Sequence, residues 1–184
     1  IFMKIQTLSL YIIGYLFFIS CNSFIVPKDV TNKTQSHPKN IILMIGDGMG
    51  LSQISAAMYK NGGQLFLEDA KYIGLIKTNS ASSIITDSAA GATAFSTGEK
   101  TYNGSINMSI DTLPLQPITQ ILHAQKIKTG IVATSSVTHA TPACFYGNQV
   151  NRYGVDESLA KQFLKSNISV LIGGGEDYFN NRSD

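Results

Sequence analysis

Asn40-Ile41-Ile42-Leu43-Met44-Ile45-Gly46-Asp47-Gly48-Met49-Gly50 runs five apolar residues into a turn with three glycines and one carboxylate. An unbroken apolar run of this length, bounded by glycine, reads as a strand buried on both faces. Such strands belong to parallel sheets that helices cover. Helical character follows at once. Leu51, Ile54, Ala57 and Met58 recur near helical spacing within residues 51–59. The opening unit is therefore strand, glycine turn, helix.

The same alternation continues along the chain. Residues 72–78 form a second strand candidate, and Ser83-Ile84-Ile85 a third β-like stretch that leads into Thr86-Asp87-Ser88. Residues 89–96 are dense in alanine and read as a helix. Tyr102-Asn103-Gly104 signals a turn, and the chain looks irregular to about Leu115. A helix is expected over 117–125 with Pro117 at its first position. Strands are expected at 129–134 and 169–172, the latter closed by Gly173-Gly174-Gly175, with an amphipathic helix over 156–164 between them. The expected class is α/β, a three-layer sandwich with a mostly parallel central sheet and helices on both faces. The last residues follow a strand and loop with no closing element, so the fold is expected to be incomplete at the C-terminus.

Composition sets outer limits. The chain has 184 residues, 43% hydrophobic and 14% charged, enough for one domain with a sizeable core. A net charge of +2 argues against a broad basic surface for nucleic acid. The N-terminus differs from the rest. Met3-Lys4 precedes an apolar run from Leu8 to Ile19, short for a membrane span and suited to a secretory core segment. It ends in Phe18-Ile19-Ser20-Cys21, which resembles a bacterial lipobox with Phe18 in place of the usual leucine. Residues 1–21 are therefore expected to be a signal peptide, with Cys21 as the lipidation point. The alternative is plain secretion with cleavage nearby. Residues 22–39 form a polar tether with Pro27, Asn32, Ser36 and Pro38, and residues 40–184 the domain. Cys144 is the one other cysteine. It is expected in the core, without a disulfide.

In open α/β sheets, ligands gather at the carboxyl ends of strands. Asp47, Ser88, His139 and Gly173 all fall just after expected strands. A carboxylate at Asp47 suits magnesium and is acceptable to zinc; the plain alternative is a helix cap. Ser88 opens a helix, where backbone N–H groups favour anions. Its hydroxyl is a weak nucleophile that a metal could activate; the alternative is an ordinary cap. Asp87 beside it would repel a phosphate unless cations neutralise the site. His139 and Thr141 are two apart in a stretch read as extended, so both can project to one side. Arg152 carries a guanidinium suited to two-point phosphate binding. Gly98-Glu99-Lys100-Thr101 fails as a P-loop, because Glu99 intrudes, and Lys100 reads as a surface residue or a support behind the site. His37 and His123 are given no role.

Four blocks in order resemble alkaline phosphatase. They are Gly46-Asp47-Gly48-Met49-Gly50, Thr86-Asp87-Ser88-Ala89-Ala90-Gly91-Ala92-Thr93-Ala94, Thr97-Gly98-Glu99-Lys100-Thr101-Tyr102-Asn103-Gly104 and Thr138-His139-Ala140-Thr141-Pro142-Ala143. Leu171-Ile172-Gly173-Gly174-Gly175 resembles the family's glycine segment. The resemblance implies hydrolysis of phosphate monoesters through a phosphoserine at Ser88. It implies two zinc ions and one magnesium, with Asp47 between a zinc and the magnesium and Thr141 a magnesium-site ligand. His139 would sit at or beside that site. Arg152 would bind the substrate phosphate, oriented by Asp87. An exported protein follows, periplasmic or anchored by lipid to a bacterial membrane, and a homodimer is plausible for the family. The family draws most zinc ligands and a magnesium-site glutamate from the later half of its chain. These 184 residues alone are therefore expected to be inactive and poorly folded. Gly147-Asn148-Gln149 also departs from the family's usual Ala-His. The rival readings are a related metallohydrolase, such as a phosphodiesterase, phosphomutase or sulfatase, and a non-catalytic lipoprotein that binds phosphate or metal.

Overall fold

The computed structural model describes residues 38–180. The signal segment with Cys21, the tether up to residue 37 and Asn181-Arg182-Ser183-Asp184 lie outside the described residues. By contacts the chain divides between Met44 and Ile45. In the first unit the described residues, 38–44, form no regular element, and Ile42 is 86% exposed.

The second unit begins with the glycine turn and helix α1 (Leu51–Lys60). A short 3₁₀ turn covers Phe66–Asp69. Helix α2 (Ser88–Thr97) and helix α3 (Ile118–Ala124) follow. Then come strand β1 (Gly130–Ser136), the one-turn helix α4 (Ala140–Ala143), helix α5 (Asp156–Leu164), strand β2 (Val170–Gly174) and the short helix α6 (Asp177–Asn180). The two strands pair in parallel, Gly130 with Val170, Ile131 with Leu171 and Val132 with Ile172. A register shift follows, and the ladder ends at Ser136 and Gly174. A Cβ on Gly173 would lie 2.7 Å from a Val137 methyl and 3.0 Å from the Ala133 carbonyl oxygen, so only glycine lets the strands come this close.

The α/β class holds, with helices and a parallel pair. The three-layer sandwich around a wide sheet is not present among the described residues. Residues 40–45, 72–78 and 83–85 form no strand. The reason is physical: a strand needs a ladder partner for its N–H and C=O groups, and these stretches have none among the described residues. Leu75 is 99% exposed, and Ile41, Ile73, Ile84 and Ile85 face solvent as well. Helix α1 forms where expected, yet it buries no residue. Helices α2, α3 and α5 and both later strands fall within two residues of expectation, while α4 and α6 were not expected. Pro117 proves to be the N-cap of α3 rather than its first helical residue.

The core lies around α2. Asp87 caps this helix by accepting the Ala90 N–H through Oδ1 (2.9 Å). Gly98 ends it with φ at +78°, a left-handed cap that most residues resist. The buried face of α2 carries Ala89, Ala90, Ala92, Thr93 and Ser96. Small side chains let α4 approach closely, so Ala140, Ala143 and Cys144 pack against them together with Ile106, Ile131, Tyr146 and Leu159. Leu159 is 1% exposed, and burying such a side chain contributes about 2 kcal/mol. Cys144 is a buried core residue, as its surroundings in the sequence imply; burial pushes its thiol up to about 12, which removes it from thiolate chemistry. Among the described residues no helix is long and apolar enough to cross a membrane.

Candidate active site

Three turns bring the site together. The 46–50 turn carries Asp47, the start of α2 carries Ser88, and the first turn of α4 carries Thr141. Gly50, not Asp47, occupies the cap position of α1, and its N–H is taken by the Gln53 side chain (3.0 Å). Asp47 is thereby released from capping. Its two oxygens accept hydrogen bonds from two hydroxyls far away in sequence: Oδ1 from Ser88 Oγ (2.8 Å) and Oδ2 from Thr141 Oγ1 (2.7 Å). The carboxyl is held below its usual value of 3.8, first by the Thr141 hydroxyl, against partial desolvation, then by Ser88 and the charges of His139 and Arg152. It is therefore ionised at neutral pH.

Ser88 is likewise not the cap. Asp87 takes that part, so Ser88 stands at the first helical position with its hydroxyl free to face Asp47. Asp87 does more than cap. Its Oδ2 accepts the Gly104 N–H (3.1 Å) and pairs with Arg152 Nη1 (3.2 Å). This pair is mostly enclosed, with the Arg152 and Asp87 side chains 14% and 25% exposed. Arg152 Nη2 reaches His139 Nε2 at 3.0 Å. A guanidinium only donates, so this contact is a hydrogen bond when the ring is neutral with Nε2 as its acceptor. Among the described residues Nδ1 is buried with no hydrogen-bond partner.

The stretch 138–141 is not extended. His139 is the N-cap of α4 and Thr141 lies in its first turn. Pro142 is tolerated there because the N–H it lacks would be unpaired in any first turn. A turn of helix, instead of a strand, directs Thr141 at Asp47 and His139 at Arg152.

Asp47, Thr141 and Ser88 present only oxygen donors, a set that suits a hard divalent cation. Three groups are fewer than such an ion takes. Among the described residues no cluster of three or more His, Cys, Asp or Glu gathers elsewhere. The donors fit one side of a metal site.

Lys100 reads from the sequence as a surface residue or a support behind the site; the ties made by Tyr102 and Asn107 do not read from it. Lys100 Nζ donates to the carbonyls of Lys77 (3.0 Å) and Asn79 (2.6 Å) and to Asn79 Oδ1 (2.9 Å), tying 77–79 to the loop after α2. Tyr102 OH donates to the Val150 carbonyl (3.0 Å), just before Arg152. Asn107 is fully buried. Its side chain donates to the carbonyls of Cys144 and Gly147 (the latter at 3.0 Å) and accepts from Ser96 Oγ (2.8 Å). It thus locks α2 to the loop that follows α4. No spacing marks Tyr102 or Asn107, because each acts through contacts distant in sequence.

The sequence profile of the alkaline phosphatase family matches residues 38–184. The alkaline phosphatase of Schizosaccharomyces pombe is 40% identical over 153 residues, covering 77% of this chain and 29% of that protein. Alkaline phosphatase 4 of Bacillus subtilis is 36% identical over 159 residues, covering 78% of this chain and 34% of its own. The structure of alkaline phosphatase from the Antarctic bacterium TAB5 superposes with a TM-score of 0.76 at 50% identity, over 80% of this chain and 43% of that one. A histidine-to-aspartate variant of the TAB5 enzyme carries magnesium in its M3 site. The chain spans about a third of the length of the two curated relatives, 29% and 34%. With four sequence blocks, a parallel α/β frame and a matching superposition, the chain belongs to the alkaline phosphatase family.

Proposed function

We propose that this chain forms the nucleophile-bearing part of an enzyme that hydrolyses phosphate monoesters through a phosphoserine at Ser88. One observation carries the reading: Ser88 Oγ stands at the start of a ten-residue helix, 2.8 Å from the Asp47 carboxylate, while Asp87 on the same turn holds Arg152. Nucleophile and anion-favouring helix start thus share one turn, and Asp87 on that turn draws the phosphate-binding cation to it.

Each residue has a task. Arg152 grips two non-bridging oxygens of the phosphoryl group, and Asp87 fixes the plane of its guanidinium. Ser88 Oγ forms a bond to phosphorus while the bond to the departing oxygen breaks; the hydroxyl proton leaves, and the departing alcohol ends with a proton. Water then attacks phosphorus, the Oγ–P bond breaks, and Ser88 regains its proton as phosphate is released. Asp47 orients the hydroxyl, but a carboxyl held below 3.8 is too weak a base to ionise it alone. When bound, two zinc ions and one magnesium would lower the pKa of the Ser88 hydroxyl and steady charge on the leaving oxygen. Asp47, Ser88 and Thr141 would hold cations through oxygen, and His139 would stand beside the magnesium site. Magnesium in the M3 site of the TAB5 variant supports that metal choice. The remaining ligands are expected beyond these residues, so this chain alone should lack activity.

The test is phosphoenzyme trapping in the full-length, metal-loaded protein. Labelled phosphate should appear on Ser88 and vanish in Ser88→Ala, with turnover falling about a thousandfold or more. A protein that binds phosphate equally with and without the hydroxyl is a binder, and the reading fails. Turnover of diester or sulfate substrates in preference to monoesters would favour the rival hydrolases.

Export and anchoring through lipid on Cys21 belong to the same proposal, as does a homodimer. Cys21→Ser should move the protein from the membrane fraction to the soluble one. Equal partition of both forms removes the anchor.

A further inference from the structure

We propose that Asn103, on the turn after α2, is a positioning residue for the nucleophile Ser88; this rests on the phosphoserine reading above. Its amide reaches back across the chain. Oδ1 accepts the Asp87 N–H at 3.2 Å, and Nδ2 donates to the Ile85 carbonyl at 2.9 Å. These two backbone groups flank Thr86, directly before the helix that begins at Ser88. They have no ladder to join, since residues 83–85 form no strand. One side chain therefore does for this segment what a neighbouring strand does elsewhere: it pairs a donor and an acceptor together and sets the direction in which the chain enters α2.

Neighbouring contacts keep the amide itself in place. The Asn103 N–H donates to Ser82 Oγ (3.1 Å), and the Gly104 N–H donates to Asp87 Oδ2 (3.1 Å). Gly104 has φ at +89°, a conformation that suits glycine and turns the chain so that this N–H meets the carboxylate. The loop thus grips the nucleophile turn by its backbone at 85 and 87 and by its cap carboxylate. Losing the Asn103 amide would free the backbone at 85 and 87 and so the direction of Ser88 Oγ, while the Gly104 N–H still holds the Asp87 carboxylate that pairs with Arg152.

Asn103 is exposed, so its hydrogen bonds compete with water and add little to global stability. A merely structural turn residue and a positioning residue then differ in their readouts. In the full-length, metal-loaded protein, Asn103→Ala should slow phosphorylation of Ser88 by p-nitrophenyl phosphate about tenfold to a hundredfold. The affinity for inorganic phosphate should stay within about threefold, because Arg152 keeps its partner. The melting temperature should move by only about 3 °C. Asn103→Asp preserves shape and the acceptor but loses the donor to Ile85, and should show the same split. Rates within about twofold of wild type in both variants would overturn the proposal, as would unfolding of both or an equal loss of phosphate affinity. If the wild-type protein forms no phosphoserine, the failure belongs to the functional reading and not to Asn103.

Discussion

Two parts of the second unit treat their apolar residues in opposite ways. Between Asp87 and Gln149 the chain builds a core of apolar and polar groups together: Ala89, Ile106, Cys144, Thr93 and Asn107 are all buried, although Ile110, Leu113 and Val132 stay exposed. From Leu51 to Ile76 no residue is buried, and Leu51, Phe66, Tyr72 and Leu75 face solvent. The difference teaches where the site gets its order. Small residues on α2, a left-handed glycine cap and buried amides make the nucleophile side self-sufficient. The segments read as strands have hydrophobicity without a neighbour to bury it. Asp47 joins the two regimes, since it lies on an exposed turn yet meets Ser88 and Thr141 of the packed part.

The sharpest way to break the contrast is at Asn107. This residue holds φ at +47°, which asparagine tolerates better than alanine. Its backbone N–H meets Thr93 Oγ1 (2.9 Å), and its amide serves the Cys144 and Gly147 carbonyls and Ser96. Asn107→Ala leaves buried acceptors unsatisfied and strains the backbone. A loss of about 3 kcal/mol is expected, or roughly 6–12 °C in Tm. Urea unfolding of the two proteins measures it. A loss under about 0.5 kcal/mol would mean that the packed part does not depend on its buried polar links.

Much of this organisation was legible in advance, and the limits have causes. Helix α2 was readable because Asp87, the alanines and Gly98 all favour the same ends. The convergence of Asp47, Ser88 and Thr141 was expected at the carboxyl ends of strands, but the strands before Asp47 and Ser88 do not form, so the resemblance in residue order was the sounder signal. The extended reading of 138–141 failed because a single helical turn is too short to show a periodicity, and Pro142 is harmless in a first turn. The strands at 40–45, 72–78 and 83–85 failed for a different reason. Apolar runs report the wish for burial, while a strand also needs partners that no local pattern specifies. Asn103 and Asn107 were read as turn or irregular residues because their partners lie far off in the chain.

Asp47 offers a smaller test at the junction. Its folded pKa is depressed below 3.8, so it contributes stability above that value and loses it as pH falls through the folded pKa. The window is therefore acidic, from about pH 4 downward. Asp47→Asn should remove that part of the acid dependence and leave the urea midpoint near neutral pH only slightly lowered. The effect is small because the carboxylate is exposed and water screens it. Parallel pH profiles of the two proteins would refute the linkage.

The smallest expected effect lies in the uncovered region and is informative for that reason. Leu75 touches solvent over nearly its whole surface, 99% exposed. Replacing it with serine removes no buried area, so Leu75→Ser should change the stability of this chain by less than about 0.5 kcal/mol. The same substitution should reduce self-association, because an apolar strip with unpaired backbone groups is a template for edge pairing. Light scattering and urea unfolding, run side by side, separate the two effects. A loss of about 2 kcal/mol would show that Leu75 is buried in solution. The contrast between an enclosed nucleophile region and an open flank would then dissolve. A silent substitution with less association would instead identify the flank as surface that finds its cover only outside residues 38–180.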